Sequence, residues 1–126
     1  MAEAMLTKRG REKLCKAHAG DLLLPKIKYI AYGDGGVDEN DIPIPVTGEE
    51  TVLRNERMRI EIDSHKYPLP TTCEYQSGLS KEDLANVYIS ELGIFDEDGD
   101  LVIYKTFLKK GKDDDMLFDF LLQEIF

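Results

Sequence analysis

The run "YISELGIFDEDGDLVIYKTF", Tyr88–Phe107, holds two β-rich stretches on either side of the acidic pentapeptide "DEDGD". "YISELGIF" and "LVIYKTF" are dense in β-branched and aromatic residues, and the Asp98-Gly99 step suits the positive backbone angles of a tight hairpin turn. Leu92, Ile94 and Leu101 are the residues of this hairpin expected to enter the core. A hairpin this well marked sets antiparallel sheet as the frame into which the flanking segments must fit.

Downstream, "KKGKDDD" reads as a charged turn. "MLFDFLLQEIF" then reads as a last strand, with Met116, Phe118, Phe120 and Leu122 on one face and Leu117 and Leu121 on the other. Upstream, "SKEDLANV" places Ser80 and Asp83 at capping spacing, the signal for a second short helix. Before it, a proline-bounded corner "HKYPLPTT" leads into "CEYQSGL", where Cys73, Tyr75, Ser77 and Leu79 share a face. "ERMRIEID" alternates with Met58, Ile60 and Ile62 inward and Arg57, Arg59 and Glu61 outward. "KIKYIAY" is a further strand, with Ile27, Tyr29 and Ala31 on one face and Lys26, Lys28, Ile30 and Tyr32 on the other. Near the N-terminus Thr7 can cap a helix starting at Lys8, in which Leu14, Ala17 and His18 recur at helical spacing and Gly20 supplies the stop. Gly10 weakens that helix, so it must rely on packing. The expected class is α+β: a mainly antiparallel sheet or sandwich with one N-terminal helix and a second short one.

The 126 residues fit one domain, 1–126, large enough to close a core unaided. No run reaches the roughly 18 apolar residues of a membrane span, and "MAEAMLTKRGREKLCKAHAG" lacks the apolar centre of a signal peptide. The expected setting is a reducing cytosol, without a membrane partner. Cys15 and Cys73 are too few for a disulfide scaffold and read as small apolar residues. The net charge of −9 argues against a nucleic-acid partner. Basic residues do cluster in "TKRGREKLCK" and "RNERMR", but interleaved glutamates make these solvated faces.

The stretch "AYGDGGVDENDIPIPVTGEE", Ala31–Glu50, has four glycines, two prolines, six carboxylates and no lysine or arginine. A phosphate loop would open straight into a helix; here Asp38, Glu39 and Asp41 follow, then two prolines. Calcium could be drawn to Asp34, Asp38, Glu39 and Asp41, or to Asp96, Asp98 and Asp100. The second set has suitably spaced oxygens, but its glycine is misplaced for a calcium loop and no glutamate closes it. Cys15, His18, His65 and Cys73 match no common zinc spacing, and nothing local marks either thiol as activated. No serine sits in a nucleophile elbow. No catalytic, cofactor or metal residue is therefore assigned, and the stretch reads as an exposed irregular connection: glycines permit the bend, prolines stiffen it, and carboxylates keep it solvated.

Three stretches together resemble the N-terminal domain of the bacteriophage tail-collar fibre family, found also in contractile phage tail-like bacteriocin particles. They are "LTKRGREKLCKAHAG", with Leu6, Thr7, Gly10, Lys13 and Ala17; "KIKYIAYGDGG", with Ile30, Ala31, Gly33, Asp34, Gly35 and Gly36; and "YISELGIFDEDGDLV", with Ser90, Glu91, Leu92, Gly93, Phe95, Asp96, Gly99 and Leu101. The resemblance spans about Leu6 to Phe120. It implies a non-enzymatic virion structural role, anchoring or adapting tail fibres to the baseplate, with the glycine-aspartate stretch a connection beside the core. The implied location is a virion tail or phage-like particle, after synthesis in the bacterial cytoplasm. The implied partners are baseplate and fibre proteins and further copies of the chain, threefold as fibres commonly are. A full fibre continues into a shaft and tip, whereas this sequence stops at Phe126; a standalone adaptor is one expectation, a truncated fibre the other. The apolar C-terminal run is the expected contact between copies. A small calcium- or carbohydrate-binding module is the alternative reading.

Overall fold

The computed structural model describes residues 4–79, 87–112 and 118–125, with side chains described over 4–77 and 87–111. In chain order the elements are β1 (Met5–Leu6), α1 (Lys8–His18), β2 (Ile27–Gly33), β3 (Glu56–Glu61) and β4 (Ser64–Leu69). They continue with β5 (Thr72–Leu79), β6 (Val87–Asp96), β7 (Leu101–Lys112) and β8 (Phe118–Ile125). The strands form a five-stranded sheet, β1-β7-β6-β2-β3, and a three-stranded sheet, β4-β5-β8. Every strand pair is antiparallel. The class is α+β dominated by sheet, as the alternation of the sequence predicts.

The β6–β7 hairpin lies inside the larger sheet, and its turn differs in detail from a tight two-residue loop. The Gly99 amide donates to the Asp96 carbonyl at 3.0 Å, and the Asp96 amide to the Asp100 carbonyl at 3.1 Å. Gly99 has φ +87°, whereas Asp98 stays at negative φ. This is the pattern of an ordinary turn closed by a left-handed glycine, which shifts the register by one residue between Ile94 and Phe95. The shift brings Phe95 opposite Leu101.

Both faces of the central strands are covered. On one face Ile30, Tyr32, Leu92, Ile94, Val102 and Ile103 pack against Cys73 and Tyr75 of β5, which makes the fold a sandwich. On the other face Ala31, Phe95, Leu101 and Tyr104 pack under Leu53 and Val46, residues of the long connection between β2 and β3. Gly93 makes room for that layer. A Cβ there would lie 2.6 Å from Leu53 and 2.7 Å from Leu101. The expected core residues Leu92, Ile94 and Leu101 are 4%, 0% and 1% exposed. Arg59, expected to point outward, lays its guanidinium 3.7 Å from the centroid of Phe95 and seals that edge of the core.

The N-terminal helix begins and ends where its signals predict. Thr7 Oγ1 accepts from the Gly10 amide at 3.1 Å, and Gly20 turns the chain at φ +85°. The dependence on packing expected from Gly10 is direct. The helix backs onto β7 so closely that a Cβ at Gly10 would meet the Val102 carbonyl at 3.0 Å.

Several expectations are corrected. "HKYPL", expected within a corner, forms β4, and Pro68 is tolerated because β4 is an edge strand whose residues are all exposed. "KKGK" belongs to β7 rather than to a turn. The two-residue strand β1 had no sequence signal of its own length. Cys15 is exposed on α1 rather than packed, whereas Cys73 is buried, and both are free thiols. The second helix expected at "SKEDLANV" falls on residues 80–86, outside the described residues, as do Met116, Leu117 and Phe126. The last strand is present as β8, in register with β5 from Leu79↔Phe118 to Thr72↔Ile125.

Replacing Gly99 with valine should destabilise the fold by about 1–2 kcal/mol, since nothing lies within 4 Å of its Cβ position and the whole effect comes from positive φ. Asparagine at the same site should cost less than half as much in a urea titration. Equal midpoints for parent and valine variant would show that the turn relaxes freely.

Candidate functional site

Two buried carboxylates of β6, one in its middle and one at its C-terminal end, organise the residues that the sequence singles out. The first is Glu91, fully buried. Its Oε2 accepts from the amides of Gly35 and Asn55, each at 2.9 Å. Its Oε1 accepts from the Arg54 amide at 2.8 Å and from the Tyr104 hydroxyl at 2.6 Å. Beside it, the Gly36 amide donates to Ser90 Oγ at 2.8 Å. The glycines are required by this approach: a Cβ on Gly33 would lie 2.5 Å from Glu91 Oε2, and one on Gly36 only 2.0 Å from the Ser90 carbonyl oxygen. Burial and the bond to Glu91 both push the Tyr104 phenol well above its usual range, so it remains the donor at neutral pH.

The anion that this glycine-rich cradle holds is therefore the chain's own carboxylate. Beyond the end of β2 at Gly33 the stretch to Glu50 is irregular, as expected, but it is not exposed throughout: its acidic middle, Pro45, Thr47 and Glu49 face solvent. Gly33, Gly36 and Gly48 are buried, and the segment continues to the buried Leu53. Its carboxylates do more than solvate it. Asp38 Oδ1 accepts from the amides of Asn40 and Ile42, and Asp34 from the Asn55 side chain at 2.6 Å. For Glu50, burial opposes ionisation, but backbone donors from Thr47 to Glu50 outweigh it and lower the pKa.

The second carboxylate is Asp96, 1% exposed. Its Oδ1 accepts from the amides of Asp98 and Asp100, each at 3.0 Å, and so shapes the hairpin turn. Its Oδ2 lies 2.6 Å from the Lys13 ammonium, which also stands 2.6 Å from Asp100 and 3.2 Å from Asp98. Asp96, Asp98 and Asp100 are the trio whose oxygens converge closely enough for a cation, and Lys13 supplies that cation from α1. Burial alone would lower the Lys13 pKa, but the hydrogen bonds that its ammonium donates to Asp100, Asp96 and Asp98 outweigh it and raise it. The bond from Lys13, reinforced by Arg9, lowers the Asp100 pKa against a smaller effect of burial. Thr7 completes the joint. Its hydroxyl donates to the Leu101 carbonyl at 2.6 Å and its amide to that of Val102 at 2.8 Å.

Beside this joint, α1, the 24–27 segment and the second sheet enclose a cleft of about 340 Å³. Leu14 of α1, Ile27, Val102 and Tyr75 supply apolar parts of its lining. His65 and Tyr67 of β4 stand edge to face across its second-sheet side, ring centroids 5.8 Å apart. Of the residues weighed for zinc, only His65 and Cys73 reach this cleft. Cys15 and His18 do not line it. Among the described residues the Asp96, Asp98, Asp100 trio is the acidic or thiol–imidazole grouping close enough for a metal.

Sequence reasoning found Lys13 and Glu91 only through the resemblance, whereas Asp96 was also weighed, with Asp98 and Asp100, as a calcium set. The partnership of Glu91 with Gly35, Arg54 and Asn55 had a usable signal: a lone acidic residue at a core position of a β-rich run demands converging donors. The chain matches no family model, and no curated protein or solved structure is significantly similar to it. No helix among the described residues is long and apolar enough to cross a membrane.

Replacing Lys13 with methionine should destabilise the fold by about 3 kcal/mol, because it leaves Asp96 buried and uncompensated. It should also change the acid limb. A depressed carboxylate contributes stability that is complete above its unfolded pKa of about 3.9 and is lost as pH falls through the folded value. Without Lys13 the contribution of Asp100 should largely vanish, so stability should fall less steeply below pH ~4 than in the parent. An acid limb of identical slope in both proteins would show that the ammonium is not the counter-ion.

Proposed function

We propose that this chain is a structural, non-enzymatic component of a phage or phage-like contractile tail, anchoring or adapting fibres to the baseplate. The observation that carries the reading is the convergence of the three stretches resembling the tail-collar fibre domain on one hairpin. Thr7, Gly10 and Lys13 of the first bear on Asp96, Leu101 and Val102, while Gly35 and Gly36 of the second bear on Ser90 and Glu91. Residues that the resemblance groups together and that lock one another geometrically are what a rigid assembly module requires. The buried carboxylates are committed to structural hydrogen bonds, which favours a scaffold over a catalyst. The Lys13 ammonium in the carboxylate trio weighs against the calcium-binding alternative.

Self-association through the C-terminal strand belongs to the same proposal. β8 closes one end of the three-stranded sheet, pairing only with β5 among the described residues. Light scattering at tens of micromolar reads the copy number, three in this proposal. The function itself is tested in the producing strain. Purified particles should contain the chain in fixed ratio to baseplate proteins, and deleting its gene should yield particles without fibres. Particles that lack the chain yet carry fibres would contradict the proposal.

A further inference from the structure

The cleft beside α1 borders the Lys13–Asp96 joint but is filled by neither clamp, and its mouth is apolar. Leu24 and Tyr67 at its opening are 46% and 68% exposed. Apolar side chains gathered at the mouth of an apolar hollow mark a contact surface. At about 340 Å³ the hollow lies at the small end of ligand sites, with room for one bulky side chain.

The charge of the lining selects the occupant. The chain as a whole carries −9, yet within the lining of the cleft Lys13 and Asp96 neutralise each other, which leaves Lys26 as the charge without a counter-ion. The Lys26 ammonium has no partner among the described residues; its amide donates to the Glu97 carboxylate at 3.3 Å. Lys66 and Pro68 protect the β4 edge against addition of a foreign strand, so the contact is made by a side chain entering the hollow rather than by sheet extension.

We propose that this cleft is a docking socket for a segment of a partner protein that presents one bulky apolar side chain flanked by carboxylates. The apolar side chain packs against the Leu14 and Tyr75 lining, and a carboxylate meets Lys26. This does not rest on the tail reading; it follows from the shape and charge of the cleft alone.

The test titrates the ¹⁵N-labelled full chain with two blocked peptides, acetyl-Glu-Phe-Leu-Glu-amide and acetyl-Lys-Phe-Leu-Lys-amide. The glutamate peptide should shift the amides of Leu14, Lys26 and Val102 saturably and bind at least about fivefold tighter than the lysine peptide. Overall charge predicts the opposite order, so this preference reports the local rim. Lys26→Glu, an exposed substitution, should remove the preference, and Leu24→Glu should abolish the shifts. Absence of saturable shifts, shifts away from the cleft, or tighter binding of the lysine peptide would overturn the proposal. Concentration-dependent shifts of the same amides without peptide would overturn it in favour of a second copy. Tighter binding of 4-phenylbutyrate than of the glutamate peptide would overturn it in favour of a small-molecule pocket.

Discussion

A carboxylate fully removed from water has to be met by donors, and Glu91 is met by three backbone amides and a tyrosine hydroxyl. That single requirement shapes half of the molecule. It draws the Gly33–Gly36 bend and the Arg54–Asn55 backbone to the same point on β6, so the long connection between them lies flat across the sheet. Leu53 is thereby set over Gly93, and the second face of the sheet is closed without a further element of regular structure. Breaking the arrangement by removing one partner would leave an unpaired buried charge, the situation proteins tolerate least.

The C-terminal end of β6 repeats the device with the signs reversed. Asp96 spends one oxygen on the turn backbone and the other on Lys13, and this joins the helix to the hairpin. An anion cradle and a cation cage are thus both present, and each is filled by a side chain of the same chain. The chemistry that would advertise a ligand site is consumed in holding the fold rigid. What remains available to partners is the apolar cleft next to α1 and the strands at the ends of the smaller sheet.

The strands, the helix caps and the hairpin were legible in the sequence because alternation, Thr7, Gly20 and the Asp98-Gly99 step act locally. The β4 strand was not, since Pro68 in "HKYPL" argues against a strand wherever the position along the sheet edge is unknown. The stretch from Ala31 to Glu50 was half legible. Its bends follow from glycine and proline, but its burial follows from Glu91, some forty residues further along and invisible to any local pattern. Lys13 shows the same limit. On the helix it looks like one more solvated charge, and only the third dimension brings it to Asp96. Long-range pairing of a few charges, not propensity, was the missing information.

The central claim is that Glu91 holds the 34–55 layer against the hairpin, and amide hydrogen exchange in Glu91→Gln tests it most directly. A glutamine presents donors where a second acceptor oxygen is needed. The amides of Gly35, Arg54 and Asn55 should therefore lose protection by ~100-fold or more, while the paired amides at Ile94 and Ile103 keep most of theirs. Unchanged protection at Gly35, Arg54 and Asn55 would contradict the account.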